Sequence, residues 1–280
     1  MLRLLIVEGN TAAARASHVE MGGAAAHELY ARALELCEIA FTHDVVFPAD
    51  ADAVLPHGSS LVGYDGIVWT GSALNVYAGG LAVTRQVELA RSCFASRVPQ
   101  FGSCWGLQIA VAAAGGSVIC NPKGREIGIA RDIKLTRGGR AHPMYVGKAD
   151  VFDALAVHKD TIETLPEGAE VLASNDISNV QAASFTYRGG LFWGVQYHPE
   201  YHFGEISACM RRYSTALITE GIFADRTAVD KAAADLAAYD APTGAEVSTG
   251  VAPTLRDPRE RMREVANWLG MLKSDQIEKQ

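Results

Sequence analysis

Short apolar runs alternate with amphipathic stretches through the first half of the chain. Leu2–Val7 is a nearly continuous apolar run, which is the pattern of a strand buried on both faces. Ala24–Ala40 follows with apolar residues at helical spacing, and a second apolar run covers Asp65–Thr70. Leu81–Ala95 again has the helical pattern. This order predicts an α/β fold, in which helices cover both faces of a mostly parallel sheet.

The alternation continues to the middle of the chain and then changes character. Val98–Gly102 is predicted to be a strand, Cys104–Ala114 a helix that ends at two glycines, and Ser117–Cys120 a further strand. The second half contains fewer helical patterns. Its predicted elements are strands over Glu126–Thr136 and Val171–Ser174, a hairpin over Val180–Gln196, and a helix over Gly204–Glu220.

The composition shifts after Ala224 toward alanine, aspartate and arginine. From Pro258 a helical pattern returns, with Met262, Val265 and Leu269 on one apolar stripe. We therefore divide the chain into a domain over residues 1–224 and a C-terminal helical extension over residues 225–280. We expect the extension to pack back onto its own domain, and a docking or self-association surface is the alternative.

Composition and charge exclude several classes of protein. The chain has 280 residues, 49% of them apolar, which fits one large domain or two small ones. A formal net charge of −7 argues against nucleic-acid binding as the main activity, and no apolar run approaches the ~20 residues of a membrane helix. The five cysteines lack paired metal-type spacings, which argues against a disulfide scaffold and a zinc ribbon and favours a reducing cytoplasm. We expect neither a metal nor another cofactor.

The most informative stretch is Phe101–Gln108, with the sequence FGSCWGLQ. A predicted strand runs into Gly-x-Cys-x-Gly and then directly into an apolar helix, which is the nucleophile-elbow pattern with cysteine in place of serine. Side chains at Gly102 and Gly106 would crowd this turn. Cys104 would lie at a helix N-terminus that favours its thiolate, and the N–H of Trp105 could stabilise an oxyanion. A buried structural cysteine is the alternative interpretation.

A base for this cysteine is expected in Phe192–Glu200, with the sequence FWGVQYHPE. The predicted strand ends at His198, so its imidazole should emerge at the carboxyl edge of the sheet, where α/β proteins assemble their sites. Glu200 lies two residues on and could accept a hydrogen bond from the imidazole, fixing its tautomer. Taken alone, the tripeptide could also be a loop with a solvated carboxylate.

The two stretches together, in this order, resemble the class I glutamine amidotransferases of the triad type, and among them the free-standing GMP-synthase-like domains. The resemblance covers roughly residues 2–221. It implies a flavodoxin-like three-layer sandwich around a mostly parallel sheet. It also implies that Cys104 attacks the side-chain amide of glutamine, with His198 as general base and acid and Glu200 as its orienter. Ammonia would leave, and water would release glutamate from a γ-glutamyl thioester.

The resemblance extends to further positions of the pocket. Gly71 takes the place of the second oxyanion donor, although Ser72–Ala73 departs from the glycine and proline usual there. Gln108 matches the residue that contacts bound glutamine, with an ordinary polar helix residue as the alternative. His158 resembles a residue that lines the glutamine pocket. Glu8 ends the first strand, where related DJ-1/PfpI-type proteins place a glutamate near the cysteine, but the His-Pro-Glu motif favours the amidotransferases.

The absence of nucleotide-binding motifs bears on which partners the protein would need. It contains no Gly-x-x-x-x-Gly-Lys-Ser/Thr phosphate loop and no Ser-Gly-Gly-rich pyrophosphatase motif. Ammonia should therefore pass to a separate synthetase subunit, or the enzyme is a hydrolase of another γ-glutamyl amide or peptide. A non-catalytic regulatory subunit is a third alternative, against which the intact triad argues. We expect no nucleic acid or membrane partner, and a homo-oligomer stays open. The other four cysteines, Cys37, Cys93, Cys120 and Cys209, are assigned to the core.

Overall fold

The computed structural model describes residues 1–51, 53–55, 60–240 and 250–278. The strands are β1 (Leu2–Val7), β2 (Phe41–Val46), β3 (Gly66–Trp69), β4 (Gln100–Ser103), β5 (Ser117–Cys120), β6 (Glu126–Leu135), β7 (Val151–His158), β8 (Asp160–Thr164), β9 (Glu170–Ser174), β10 (Ala182–Tyr187) and β11 (Gly190–Val195). The helices are α1 (Ala12–Glu20), α2 (Ala26–Glu35), α3 (Leu81–Ser96), α4 (Trp105–Ala113), α5 (Arg137–Ala141), α6 (Phe203–Arg212), α7 (Ser214–Thr219), α8 (Arg226–Ala237), α9 (Pro253–Arg256), α10 (Pro258–Arg261) and α11 (Arg263–Glu278).

Nine strands form one sheet in the order β2-β1-β3-β4-β11-β10-β9-β6-β7, and β5 pairs with β8 in a separate small sheet. The first five strands in this order are mutually parallel. Only β10 and β6 run in the opposite direction to the other seven strands of this sheet. The sheet is therefore mostly parallel, as predicted. Its parallel strands bring their carboxyl ends, and the residues that follow them, to one edge.

Successive residues of β1 point into two different apolar cores, one on each face of the sheet. Leu2, Leu4 and Ile6 pack with α2 and α11, whereas Leu5 and Val7 pack with α3 and α4. This alternation is the normal period of a strand, and the burial of both faces explains why β1 is almost entirely apolar. Helices thus cover both faces, which confirms the predicted three-layer sandwich.

Several elements have no clear signal in the sequence pattern. The helix predicted over Ala24–Ala40 ends at Glu35, and the chain then forms β2, whose central residues are polar because it is the edge strand. Strands β7 and β8 and helix α1 were not predicted. The helix predicted over Gly204–Glu220 is divided into α6 and α7 at Tyr213. Assigning Cys120 to the core was wrong, because β5 lies outside the main sheet and this thiol is exposed.

The described part of the predicted extension packs onto the first domain, which is the expected arrangement. The Trp268 ring lies 5.9 Å from the Phe101 ring, and a Cβ added at Gly66 would lie 2.7 Å from the indole. Helix α11 and the turn before it therefore complete one of the two cores of the sheet. The boundary after residue 224 stays a prediction, and residues 241–249 lie outside the description. The buried residues contributed here are Met262, Val265, Trp268, Leu269 and Leu272.

Polar contacts also connect α11 to the sheet. The fully buried Glu264 carboxylate lies 3.0 Å from Lys148 Nζ and accepts a hydrogen bond of 2.6 Å from the hydroxyl of Tyr197. The Tyr197 hydroxyl also lies 2.9 Å from that of Tyr145. A buried carboxylate is tolerated when it is paired and hydrogen-bonded in this way.

No helix in the described ranges combines the length and apolar character needed to cross a membrane.

Replacing Trp268 with alanine should strongly destabilise the protein, because the substitution opens a cavity in the core beneath the sheet. We expect the free energy of unfolding to fall by about 3–5 kcal/mol. Denaturant titration followed by circular dichroism measures this change. Leu81→Ala is the control, since Leu81 is 71% exposed and its truncation should have little effect. Equal stability of the two variants would contradict the integral role of α11.

Candidate active site

The turn between β4 and α4 holds Cys104 in a strained conformation, with φ 48° and ψ −99°. A positive φ is costly for a residue other than glycine, so the surroundings must enforce it. A Cβ added at Gly106 would lie 2.6 Å from Trp69 Cβ, and one added at Gly102 would lie 2.7 Å from the carbonyl carbon of Gly106. The N–H of Cys104 donates to the carbonyl oxygen of Val195 at 2.7 Å. Because Gly102 and Gly106 have no side chains, the neighbouring strands can approach the turn closely.

His198 and Glu200 form a buried pair beside this turn. Nδ1 of His198 lies 2.8 Å from Oε1 of Glu200, and Oε2 of Glu200 accepts a 3.0 Å hydrogen bond from Ser103 Oγ. The hydroxyl of Tyr30 lies 3.1 Å from Ser103 Oγ, and the His198 ring stacks on Tyr201 with a centroid distance of 3.9 Å. Nε2 of His198 is buried with no hydrogen-bond partner among the described residues. The ring is therefore fixed by one nitrogen and the other is free to bind a proton.

The sulfur of Cys104 and the imidazole of His198 line the same cavity. Burial raises the pKa of the Cys104 thiol well above its ordinary value, and the carboxylates of Asp160 and Glu200 act in the same direction. The N–H of Trp105 and the side chain of Gln196 oppose this rise only in part. Burial thus opposes the preference for thiolate that the helix N-terminus provides.

The loop after β3 places Gly71 in the same cavity as the thiol. A Cβ added at Gly71 would lie 2.6 Å from Cε1 of His198, so the backbone approaches the imidazole closely. Its N–H donates to no other group in the part of the chain that the structure covers. The departure at Ser72 is structurally accommodated, because Ser72 Oγ donates to the Gly9 carbonyl at 2.9 Å and the Ala73 N–H donates to Asn10 Oδ1 at 3.0 Å.

A larger cavity of about 270 Å³ opens beside Cys104. Gln108 lies in its wall, where Nε2 donates to Oε1 of Gln196 at 3.3 Å. The amide nitrogen of Gln196 is itself buried with no partner among the residues described. Two amide side chains are therefore held next to the thiol.

Charged groups of both signs line the larger cavity. The Asp160 carboxylate accepts hydrogen bonds from Asn75 Nδ2 at 2.6 Å and from the Tyr77 hydroxyl at 2.9 Å. Arg125 lies in the same wall and is held by two hydrogen bonds to the Glu220 carboxylate, at 2.8 and 3.0 Å. A buried carboxylate and a fixed guanidinium in one cavity suit a small molecule that carries both an ammonium and a carboxylate.

His158 lines this cavity, and both of its ring nitrogens are occupied. Nε2 lies 2.8 Å from Oε2 of Glu126, and Nδ1 lies 3.0 Å from the carbonyl oxygen of Asp160. Burial alone would raise the pKa of Glu126, but hydrogen bonds from His158, Asn175 and Gln181 outweigh it and lower that pKa. His158 therefore holds the end of β7 in place and has no free nitrogen for proton transfer.

Sequence reasoning missed Ser103, Tyr30, Gln196 and Asp160 as parts of the site. Asp160 could have been found, because it ends the His-Lys-Asp segment that contains His158. Glu8 is buried at the carboxyl edge, but its carboxylate accepts hydrogen bonds from Asn10 and His27. Within the described ranges, no group of three or more His, Cys, Asp or Glu side chains could hold a metal ion.

Gly106→Ala should destabilise the protein by about 1–3 kcal/mol, because the new methyl group would overlap Trp69. Gly270→Ala is a matched control, since Gly270 is also helical and has open space around its Cα. We expect that variant to be neutral or stabilised by up to about 1 kcal/mol. Thermal or denaturant unfolding distinguishes the two, and a neutral Gly106→Ala would contradict the tight turn.

Alkylation of Cys104 by iodoacetamide should still accelerate with rising pH above about pH 9, because burial raises the pKa of its thiol. Peptide mapping by mass spectrometry follows each cysteine separately, and the exposed Cys120 is the internal reference for the reagent. A rate that reaches its plateau below about pH 7 would mean that the helix N-terminus outweighs burial after all.

Residues 25–212 match the family model described as glutamine amidotransferase class-I. The chain is 36% identical over 252 residues to a γ-glutamyl-L-1-hydroxyisopropylamide hydrolase of Pseudomonas sp, covering 88% of this chain and 83% of that protein. It is 29% identical over 178 residues to γ-glutamyl peptidase 3 of Arabidopsis thaliana, covering 62% of this chain and 70% of the peptidase.

One further match covers only a small part of the matched protein, and another shows similarity of fold alone. A glutamine-hydrolyzing GMP synthase of Porphyromonas gingivalis is 34% identical over 146 residues, which is 52% of this chain but 26% of the synthase. A crystal structure of a glutamine amidotransferase from Thermotoga maritima superposes with a TM-score of 0.63 at 15% identity, covering 97% of this chain and 98% of that one.

Proposed function

Since the chain belongs to the class I glutamine amidotransferase family and is a hydrolytic enzyme of that type, we propose that it cleaves γ-glutamyl amides through a thioester at Cys104. The observation that carries the proposal is the free, buried Nε2 of His198 in the cavity of the Cys104 thiol, with Nδ1 fixed by Glu200. A nucleophile, its base and an orienting carboxylate are the three groups that acyl transfer needs.

In the first step, Nε2 of His198 takes the proton of the Cys104 thiol as the sulfur attacks the γ-carbonyl carbon. Glu200 stabilises the imidazolium that forms, and its second oxygen is already satisfied by Ser103. The carbonyl oxygen becomes an oxyanion. We assign its stabilisation to the N–H groups of Gly71 and Trp105.

In the second step, His198 gives its proton to the nitrogen of the amide, the C–N bond breaks, and a free amine leaves. The acyl group remains as a γ-glutamyl thioester on Cys104. A water molecule then attacks this thioester while His198 again takes a proton, the C–S bond breaks, and His198 returns the proton to the departing sulfur. The products are glutamate, the amine and the regenerated thiol, so the sum is hydrolysis of one amide bond by one water molecule.

The larger cavity beside Cys104 suits the glutamyl part of the substrate. We assign Asp160 to its α-ammonium group and Arg125 to its α-carboxylate, because these charges line the same wall. Gln108 and Gln196 offer amide groups closer to the sulfur. His158 is assigned to positioning the segment that carries Asp160.

The amine part of the substrate is where the family members differ. The Pseudomonas relative is a γ-glutamyl-L-1-hydroxyisopropylamide hydrolase, and the match to it covers 88% of this chain. This similarity supports an amide of a small amine as the main substrate. Glutamine itself, with ammonia passed to a separate synthetase, is the second candidate. It is favoured by the match to the glutamine-hydrolyzing GMP synthase, of which the chain spans about a quarter.

Cys104→Ala should abolish glutamate release from glutamine and from γ-glutamyl amides while the protein stays folded, because the variant lacks the nucleophile. Glutamate is measured by an enzyme-coupled assay and folding by circular dichroism. Cys120→Ala is the matched control, since Cys120 is exposed and outside both cavities, and it should keep full activity.

Undiminished turnover by Cys104→Ala would contradict the mechanism. A glutamine-mimicking electrophile should label Cys104 alone among the five cysteines, and equal labelling of all five would also count against it. Glutamine turnover that appears only when a synthetase is added would favour the second candidate over hydrolysis of a small amide.

A further inference from the structure

The loop that carries Gly71 is joined to the loop after β1 by several hydrogen bonds. Thr70 Oγ1 accepts from the N–H of Gly9 and donates to the carbonyl oxygen of Gly71, both at 3.0 Å. The side chain of Asn10 makes two further contacts with the same loop. Its Nδ2 donates to the Gly71 carbonyl oxygen at 3.3 Å, and its Oδ1 accepts from the N–H of Ala73 at 3.0 Å. One amide side chain therefore bridges the loop from Gly71 to Ala73.

Asn10 is itself fixed by the residues around it. Its backbone N–H and its Nδ2 donate to Oε1 of the buried Glu8 at 2.9 and 3.0 Å, and its carbonyl oxygen accepts from Arg15 at 2.7 Å. The other carboxylate oxygen of Glu8 accepts from the backbone N–H of His27 at 2.9 Å. A backbone carbonyl only accepts and a backbone N–H only donates, so the contacts with the Gly71 loop define which amide atom of Asn10 is the nitrogen. The amide therefore has one orientation.

The N–H of Gly71, which we assigned to the oxyanion, lies between two backbone groups that are held. On its N-terminal side, the N–H of Thr70 donates to the carbonyl oxygen of Val7 at 3.1 Å. On its C-terminal side, the carbonyl oxygen of Gly71 accepts from Thr70 Oγ1 and Asn10 Nδ2. Glycine has no side chain to restrict its own φ and ψ. The orientation of this N–H therefore depends on the contacts that the neighbouring groups make.

We infer that Asn10 is a positioning residue for the oxyanion, because it holds the backbone of Gly71 so that its N–H stays available to the γ-carbonyl oxygen. The inference rests on the proposed hydrolysis at Cys104. Asn10 borders the cavity of the thiol, but its amide hydrogens and its Oδ1 already have partners in the protein. It therefore acts through Gly71. Since the oxyanion forms only when the sulfur attacks, loss of Asn10 should slow the chemical step and leave substrate binding unchanged.

Asn10→Ala tests this role with L-glutamine and γ-glutamylethylamide as substrates. We expect kcat for glutamate release to fall about 10- to 100-fold, which is less than the loss of an oxyanion donor itself costs. The Kd of γ-glutamylethylamide is measured by calorimetry in the Cys104→Ala background, where no turnover occurs. Adding Asn10→Ala there should change this Kd by less than about twofold. The control Asn179→Ala replaces an exposed asparagine outside both cavities and should keep the kcat of the unmodified enzyme.

Asn10→Asp is a second variant of the same shape, and its carboxylate keeps the acceptor for Ala73 but has no hydrogen to donate to Gly71. We expect a similar loss of kcat. An unchanged kcat in either folded variant would overturn the inference, and so would failure of both variants to fold. A Kd weakened as much as kcat/KM falls would overturn it too, because Asn10 would then act on substrate binding. Absence of glutamate release from both substrates by the unmodified enzyme would instead overturn the proposed hydrolysis itself.

Discussion

The site depends on the close approach of three neighbouring parallel strands, β3, β4 and β11, around the turn at Cys104. Gly106 lies against Trp69 of β3, and the N–H of Cys104 donates to Val195 of β11. These contacts hold a backbone conformation that the residue would not adopt by itself. They also fix the distance between the turn after β4 and the segment after β11, which carries His198. The position of the sulfur relative to the imidazole is thus set by backbone packing, before any side-chain interaction is considered.

Burial of this arrangement has an electrostatic consequence. It raises the pKa of the Cys104 thiol, and it would make an isolated buried carboxylate unfavourable. The carboxylate is tolerated because both oxygens have partners, His198 on one and Ser103 on the other. Ser103 directly precedes Cys104 along the chain. The last residue of β4 therefore donates the hydrogen bond that holds Glu200, next to the nucleophile itself. Because both carboxylate oxygens are paired, the His198 ring is held in one orientation through its Nδ1.

The parts of the site that depend on a few adjacent residues were predictable from the sequence. The glycines of the elbow and the position of His198 after a buried strand are requirements of a few adjacent residues, and they were recognisable. The contact between His18 and Glu205 joins residues far apart in the chain, and neither had a motif to mark it. The occupied nitrogens of His158 depend on Glu126 of another strand, and the exposure of Cys120 depends on a small second sheet. Tertiary packing decides such features, and no local pattern encodes them.

The hydrogen bond from Tyr197 to Glu264 has a consequence for the order of events during synthesis. Tyr197 directly precedes His198, and its hydroxyl is held by a carboxylate that the ribosome adds 67 positions later. A nascent chain that already contains Cys104, His198 and Glu200 still lacks the helix that completes the core beneath them. The core on that face of the sheet is therefore completed only after α11 has been synthesised.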